Sequence, residues 1–300
     1  MLRWMLFLTF FLMRVFEAEV EKEGNVICEE IKMYRDNPRA HVLDSIKGCL
    51  YKKPFGMFIA GTKEGVKGMT REQLFGKHRS IYIPKNSILC VVGNNDFDEV
   101  VELAEKMVVE RDGEKIDVLE IATQDLKEVE SRSDLHQANL ALGFHFPSLG
   151  EEMRYTAEVF ASILGDGMSS KLFREVREKR GLVYSVKTEL DIGESYGFMI
   201  IWAGTDPGKV DEVIKICREE YAKMGEISEE ELAAAKLRLL GGRKVESEGS
   251  VETAVNLILE ENSGDAEDYY KYEEKVNAVS LGDIKKLAEI SEFGSFSLGP

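Results

Sequence analysis

The chain has 300 residues, 44% hydrophobic and 31% charged, enough for an ordinary soluble core with a solvated surface. Its 39 Lys and Arg against 55 Asp and Glu leave a net charge of −16, which argues against a nucleic-acid groove or an anionic membrane surface as the main partner. Two tryptophans, ten tyrosines and fifteen phenylalanines exclude a disordered acidic tail.

Residues 2–13 form the one strongly apolar stretch, too short to span a bilayer as a helix. A signal peptide over residues 1–18 would take its charge from Arg3 and its apolar region from Trp4 to Met13, but Arg14 and the bulky Phe16 spoil the cleavage side. A buried helix is the other reading. Residues 17–34 predict a helix with Val20, Ile27, Ile31 and Tyr34 on one stripe, stopped by Asn37-Pro38. A second helix follows Pro38 and presents Val42, Ile46, Cys49 and Leu50. Residues 51–69, with four glycines and Pro54, read as loop. Thr70 to Gln73 is a capping box opening a short helix. The apolar run 87–93 suits a strand buried on both faces, and Asp96 caps a helix to about Val109.

Arg111 to Lys115 is a polar break and the expected boundary between a unit at 1–112 and another at 113–300. The second unit predicts strands at about 136–146, 182–191, 196–203 and 295–298. Its helices are expected at 151–164, from Ser169 or Ser170, at 207–224, 228–246, 250–262, 265–278 and 280–290. The class is α+β: two related mixed α/β sandwich units, each an antiparallel-rich sheet with helices packed on it, the first one incomplete.

Cys28, Cys49, Cys90 and Cys217 are widely spaced, which suits reduced, mostly buried thiols and a cytoplasmic setting rather than a zinc ribbon or disulfide framework. His41, His78, His136 and His145 offer no helical i, i+4 pair, and HExxH and HxxEH are both absent. His136 and His145 fall in one predicted strand at an odd offset, on opposite faces. Glu23 and Glu30, seven apart on the first helix, face the same way; a solvated acidic face is the plain reading. Residues 171–180 hold Lys171, Arg174, Arg177, Lys179 and Arg180 against Glu175 and Glu178, locally +3, with Gly181 ending the helix. That is either a cationic solvated helix with a glycine cap, or a site where Arg177 and Tyr184 supply donors to a peptide carbonyl.

The run Gly165-Asp-Gly-Met-Ser-Ser-Lys-Leu-Phe-Arg-Glu-Val-Arg-Glu-Lys-Arg-Gly-Leu-Val-Tyr-Ser-Val186 is similar, almost throughout, to the C-domain signature of the insulinase, pitrilysin and mitochondrial processing peptidase family of zinc metallopeptidases. Glu23 to Ile31 resembles the family's acidic helix. Met33 to Pro38, Gly61 to Glu64, Met69 to Arg71 and Tyr82, Pro84, Asn86 and Gly93 follow in family order, and Leu6 to Phe16 resembles the apolar helix before the acidic one. In that family zinc is held by an inverted HxxEH helix and a downstream glutamate, the Glu of HxxEH activating water. The resemblance implies that Glu30 matches the downstream ligand, Glu23 a supporting acid, and Arg177 and Tyr184 the substrate-facing pair of the second domain. The HxxEH part would lie before residue 1, so the first unit is expected to lack its first strands and to expose a sheet edge and an apolar face.

One carboxylate does not hold catalytic zinc, which needs three protein ligands and an open position. No catalytic residue is assigned within these 300 residues, and stable zinc binding by the chain alone is not expected. A peptide could still be held by Arg177, Tyr184 and a sheet edge. Three expectations stand open: a non-catalytic or truncated partner that helps bind extended peptides; a chain that complements a separate HxxEH-bearing subunit to make an active zinc metalloendopeptidase; or a broken reading frame. The expected partners are a peptide and a related HxxEH-bearing subunit or a second copy, with no nucleic acid and no membrane.

Overall fold

The computed structural model describes residues 20–300 apart from 109, 115, 117–119 and 150–152. The expectations for residues 1–18 therefore lie outside the described residues. Helix α1 (Val20–Asp36) is followed by α2 (Pro38–Leu50), where Asn37 accepts from the Arg39 and Ala40 amides and Pro38 fixes the first turn. The short helix α3 (Lys63–Lys67) and α4 (Arg71–Ile81) come next, the latter opened by the expected Thr70 capping box. Asp96 then caps α5 (Phe97–Met107) through the Glu99 amide.

The strand expected at 87–93 does not form. Residues 87–92 have no regular structure, and Ile88 and Leu89 are 46% and 42% exposed. A strand needs a neighbour to satisfy its ladder, and no named strand precedes residue 127 among the described residues; the nearest thing is an isolated bridge from Tyr51 to Thr123. Among the described residues, positions 20–112 thus hold no sheet whose edge could be exposed. Its apolar excess appears instead as single exposed side chains, including Phe97 and, on the stripe assigned to the core, Ile27 and Tyr34.

Among the described residues the five strands all lie within positions 113–300, the expected second unit: β1 (Lys127–Ser131), β2 (Ala138–His145), β3 (Val183–Gly193), β4 (Tyr196–Thr205) and β5 (Gly294–Gly299). Their order is β1-β5-β2-β4-β3, antiparallel except for the β1–β5 pair, so β1 and β3 are the edges. His136 lies before β2 and is exposed, so only His145 of the two expected histidines is in the strand. The period of two sorts the strands cleanly. Met199, Ile201 and Ala203 enter the larger core, while Phe198, Ile200 and Trp202 enter a smaller one on the opposite face.

The larger core is closed by α6 (Arg154–Gly165), α7 (Val210–Ala222), α8 (Glu229–Glu246), α10 (Tyr272–Ala278) and α11 (Leu281–Ala288), with α9 (Ser250–Ser263) joining α8 to α10. The smaller core is closed by α2 of the first unit. Val42, Ile46, Cys49 and Leu50 are fully buried against Ala141, Phe198, Trp202 and Phe296. Polar contacts fix the helix there. Arg39 pairs with Glu189 at 2.9 Å over the Trp202 ring, Lys47 pairs with Asp191 at 3.0 Å, and the Tyr51 hydroxyl donates to the Gly197 carbonyl at 3.1 Å. None of the helices formed by the described residues is long and apolar enough to cross a membrane. All four cysteines are free; burial pushes the Cys49 and Cys217 thiols up to about 12, leaving them unreactive.

Candidate functional site

Glu23 and Glu30 both sit on α1 and both are exposed. The helix packs its other side on α3, where Gly24 approaches Val66 and the Cys28 thiol reaches the Lys63 carbonyl. The 3.6-residue period turns the two carboxylates away from that contact. Neither makes a hydrogen bond or ion pair among the described residues, and there no three His, Cys, Asp or Glu side chains cluster in a way that could hold a metal. His41 is committed to Glu130 at 2.8 Å, and His145 leans on Asp125 at 3.6 Å. The donor set of a catalytic zinc is therefore not met within these residues, and Glu30 alone matches the ligand that the resemblance implies.

The cationic segment is built differently from a plain α-helix. Ser170 caps it through the Phe173 amide, and Phe173–Glu178 is π-helical, with the Lys179 amide reaching back to Arg174 at 2.9 Å. Leu172 and Val176 anchor it in the larger core. Gly181, at φ +59, releases the chain into β3, a conformation costly for any residue with a Cβ.

Ion pairs account for most of the local charge. Lys171 and Arg174 reach Glu231 at 2.7 and 3.6 Å, and Glu231 also closes the capping box of α8 with Ser228. Lys179 and Arg180 both reach Glu175, the latter at 2.8 Å, and hold its carboxyl at about 2. Among the described residues, Arg177 is the cation of this segment left without an ion pair. Its guanidinium lies over the Phe173 ring, 4.9 Å from the centroid, and it is exposed. Arg177 is thus the cation of the segment whose donors no carboxylate engages among the described residues.

Tyr184 lies on β3 just past the same glycine turn and is 57% exposed. The β3–β4 register slips between Val183 and Ser185, which makes Tyr184 the extra residue of a bulge. Its hydroxyl donates to Asp206 Oδ1 at 2.9 Å, and Asp206 Oδ2 pairs with Lys209 at 2.9 Å. Lys209, then the phenol, holds the Asp206 carboxyl below its usual value; the carboxylate in turn raises the phenol above the ordinary tyrosine range. Asp206 reads in the sequence only as the residue before a helix-starting Pro207, and its side chain makes no cap bond there. Arg177 and Tyr184 so flank one turn, while no hydrogen bond or ion pair among the described residues joins them to Glu23 or Glu30.

A family model described as the peptidase M16 inactive domain matches residues 68–239. An uncharacterized zinc protease of Mycobacterium leprae is 34% identical over 237 residues, covering 75% of this chain and 52% of that protein. One from Mycobacterium tuberculosis is 30% identical over 301 residues, covering 94% and 67%. The chain thus spans about half the length of the first of these curated relatives. Among solved structures, a peptidase M16 inactive domain from Pseudomonas fluorescens superposes with a TM-score of 0.88 at 18% identity, over 98% of this chain and 73% of that one, a likeness of fold.

Proposed function

The chain belongs to the peptidase M16 family, and on that premise we propose that its second unit forms the peptide-gripping wall of a peptidase chamber, with the zinc-activating HxxEH helix supplied by another polypeptide segment. The observation that supports this most is that Arg177 has no carboxylate partner among the described residues. The other four cations of the segment pair with Glu175 or Glu231, whereas Arg177 is exposed and unpaired among the described residues. A planar guanidinium with free donors suits the carbonyls of an extended main chain. Tyr184, across the glycine turn, is the second contact.

Glu30 supports a complementing role over a purely non-catalytic one. It is exposed and uncommitted among the described residues, as a ligand waiting for two imidazoles from elsewhere would be. Without those imidazoles and a general base, these residues bind and orient a peptide but activate no water. The test is affinity for a fluorescent extended peptide, with zinc and an HxxEH-bearing polypeptide added in turn. Binding that depends on Arg177 and Tyr184 without cleavage, then cleavage only on addition of the second polypeptide, is the expected result. Cleavage by the chain alone would refute it.

A further inference from the structure

The sequence casts Tyr184 as a donor to a peptide carbonyl, but its one hydroxyl proton is already placed. It points to Asp206 Oδ1 at 2.9 Å, and that carboxylate is kept charged by Lys209 on its other oxygen, also at 2.9 Å. A carboxylate accepts a hydrogen bond roughly twice as strongly as a neutral amide carbonyl does. A peptide carbonyl arriving at Tyr184 would have to take the proton from the better acceptor.

The backbone enforces the arrangement. Thr205, fully buried, donates its hydroxyl to the Leu182 carbonyl and ties the end of β4 to the start of β3. The bulge then swings Tyr184 out beside Asp206, the next residue after Thr205, and Pro207 starts the turn that brings Lys209 back. Glu212 also favours the charged form of Lys209.

From this geometry we infer that Asp206, paired with Lys209, is a positioning residue that accepts the Tyr184 hydroxyl hydrogen bond and so presents the phenol oxygen to a peptide as an acceptor of main-chain N–H, leaving carbonyls to Arg177. The inference rests on the peptide-gripping function proposed above and deepens it. The wall then offers one donor and one acceptor, the pattern an extended main chain presents in turn on each edge. No proton leaves Tyr184 in this role, so it positions substrate and performs no acid–base step.

The experiment uses the full chain with isotope-labelled tyrosine, its Tyr184 NMR signal assigned by Tyr184→Phe. In Asp206→Ala the phenol should ionise at lower pH than in wild type, near the ordinary tyrosine value of 10.0. Asp206→Asn, which keeps an acceptor without charge, should fall between. Ionisation of Tyr184 at the same pH in wild type and Asp206→Ala overturns the pairing. The second arm uses one fluorescent unstructured peptide and versions of it N-methylated at a single amide. One such methylation should weaken wild-type binding about three- to tenfold and leave Tyr184→Phe unaffected. If Tyr184→Phe weakens the parent peptide yet no methylated position distinguishes it from wild type, the acceptor role is wrong while the peptide wall stands. If Tyr184→Phe and Arg177→Ala both bind the parent peptide as wild type does, the peptide wall itself fails and this role with it.

Discussion

Arg132, just past β1, donates from Nη1 to the main-chain carbonyl of Arg35 at 2.6 Å, while its other nitrogens hold Asp134. Arg35 lies in the last turn of the helix that carries Glu30, where carbonyls have no partner within the helix. One guanidinium thereby stitches the acidic helix of the first unit to the sheet edge of the second and satisfies a helix end. Arg132→Ala is expected to speed hydrogen exchange of amides in Val20–Asp36 by roughly tenfold, the scale of one lost charge-assisted hydrogen bond, with exchange in β2 and β4 unchanged. Equal exchange in the helix would show that other contacts hold it.

Leu50 marks the join between the units from the apolar side. A methyl built on Gly143 of β2 would come within 2.6 Å of Leu50 Cδ1, and one on Gly294 within 3.2 Å of Leu50 Cδ2. Two glycines thus hollow the sheet so that α2 can lie close. Gly143→Ala should cost about 1–3 kcal/mol by overpacking, and Leu50→Ala about 2–5 kcal/mol by the cavity it leaves. The double variant should be more stable than the sum of the two losses, because each change relieves the other. Chemical denaturation of the four proteins measures this, and strict additivity would contradict the contact.

That join was the part of the fold least legible beforehand. The buried stripe Val42, Ile46, Cys49 and Leu50 is plain in the sequence, since the helical period and the Asn37-Pro38 start are local signals. Which sheet it covers is not local, and nothing in those residues says that it is the sheet of the other unit. The strand β1, Lys-Glu-Val-Glu-Ser, was invisible for a related reason: as an exposed edge strand it shows no apolar run. Residues 87–92 failed in the opposite direction, an apolar run with strand composition but no described neighbour to pair with. At the site, the signature segment identified Arg177 and Tyr184 by resemblance. The ion pairs that single out Arg177, and the hold of Asp206 on Tyr184, depend on Glu231 and on a bulge register that only the tertiary structure supplies.

Glu158 gives a pH-dependent handle on the second unit. Burial, the dominant effect, pushes its carboxyl above the usual 4.5, against the Tyr272 hydroxyl donating at 2.6 Å and the charges of Arg154 and Arg243. A carboxyl raised in the folded state binds its proton at higher pH than in the unfolded chain, so its contribution to stability falls as pH rises from 4.5 through the folded value. Glu158→Gln keeps an acceptor for Tyr272 and removes the half-buried charge. The variant should melt higher than wild type near neutral pH, with the gap closing below 4.5. Parallel melting curves across that range would be inconsistent with a raised carboxyl.

For zinc, the purified 300-residue chain should retain less than one metal per chain after dialysis, because the proposed ligand Glu30 would be one of the three that a catalytic zinc needs. Adding an HxxEH-bearing polypeptide should raise zinc retention in wild type and not in Glu30→Gln. Stoichiometric zinc held by the chain alone, or equal retention by Glu30→Gln in the mixture, would remove Glu30 from the ligand set.

The central claim is that Arg177 and Tyr184 together hold an extended peptide, and the most direct measurement is the affinity of a fluorescent unstructured peptide for wild type, Lys179→Ala and the double variant Arg177→Ala with Tyr184→Phe. The double variant should bind roughly tenfold more weakly or worse, the scale of one charged and one neutral hydrogen bond. Lys179→Ala, which removes a cation already spent on Glu175, should stay within about twofold. Equal affinity for wild type and the double variant, with the fold intact by circular dichroism, would contradict the claim.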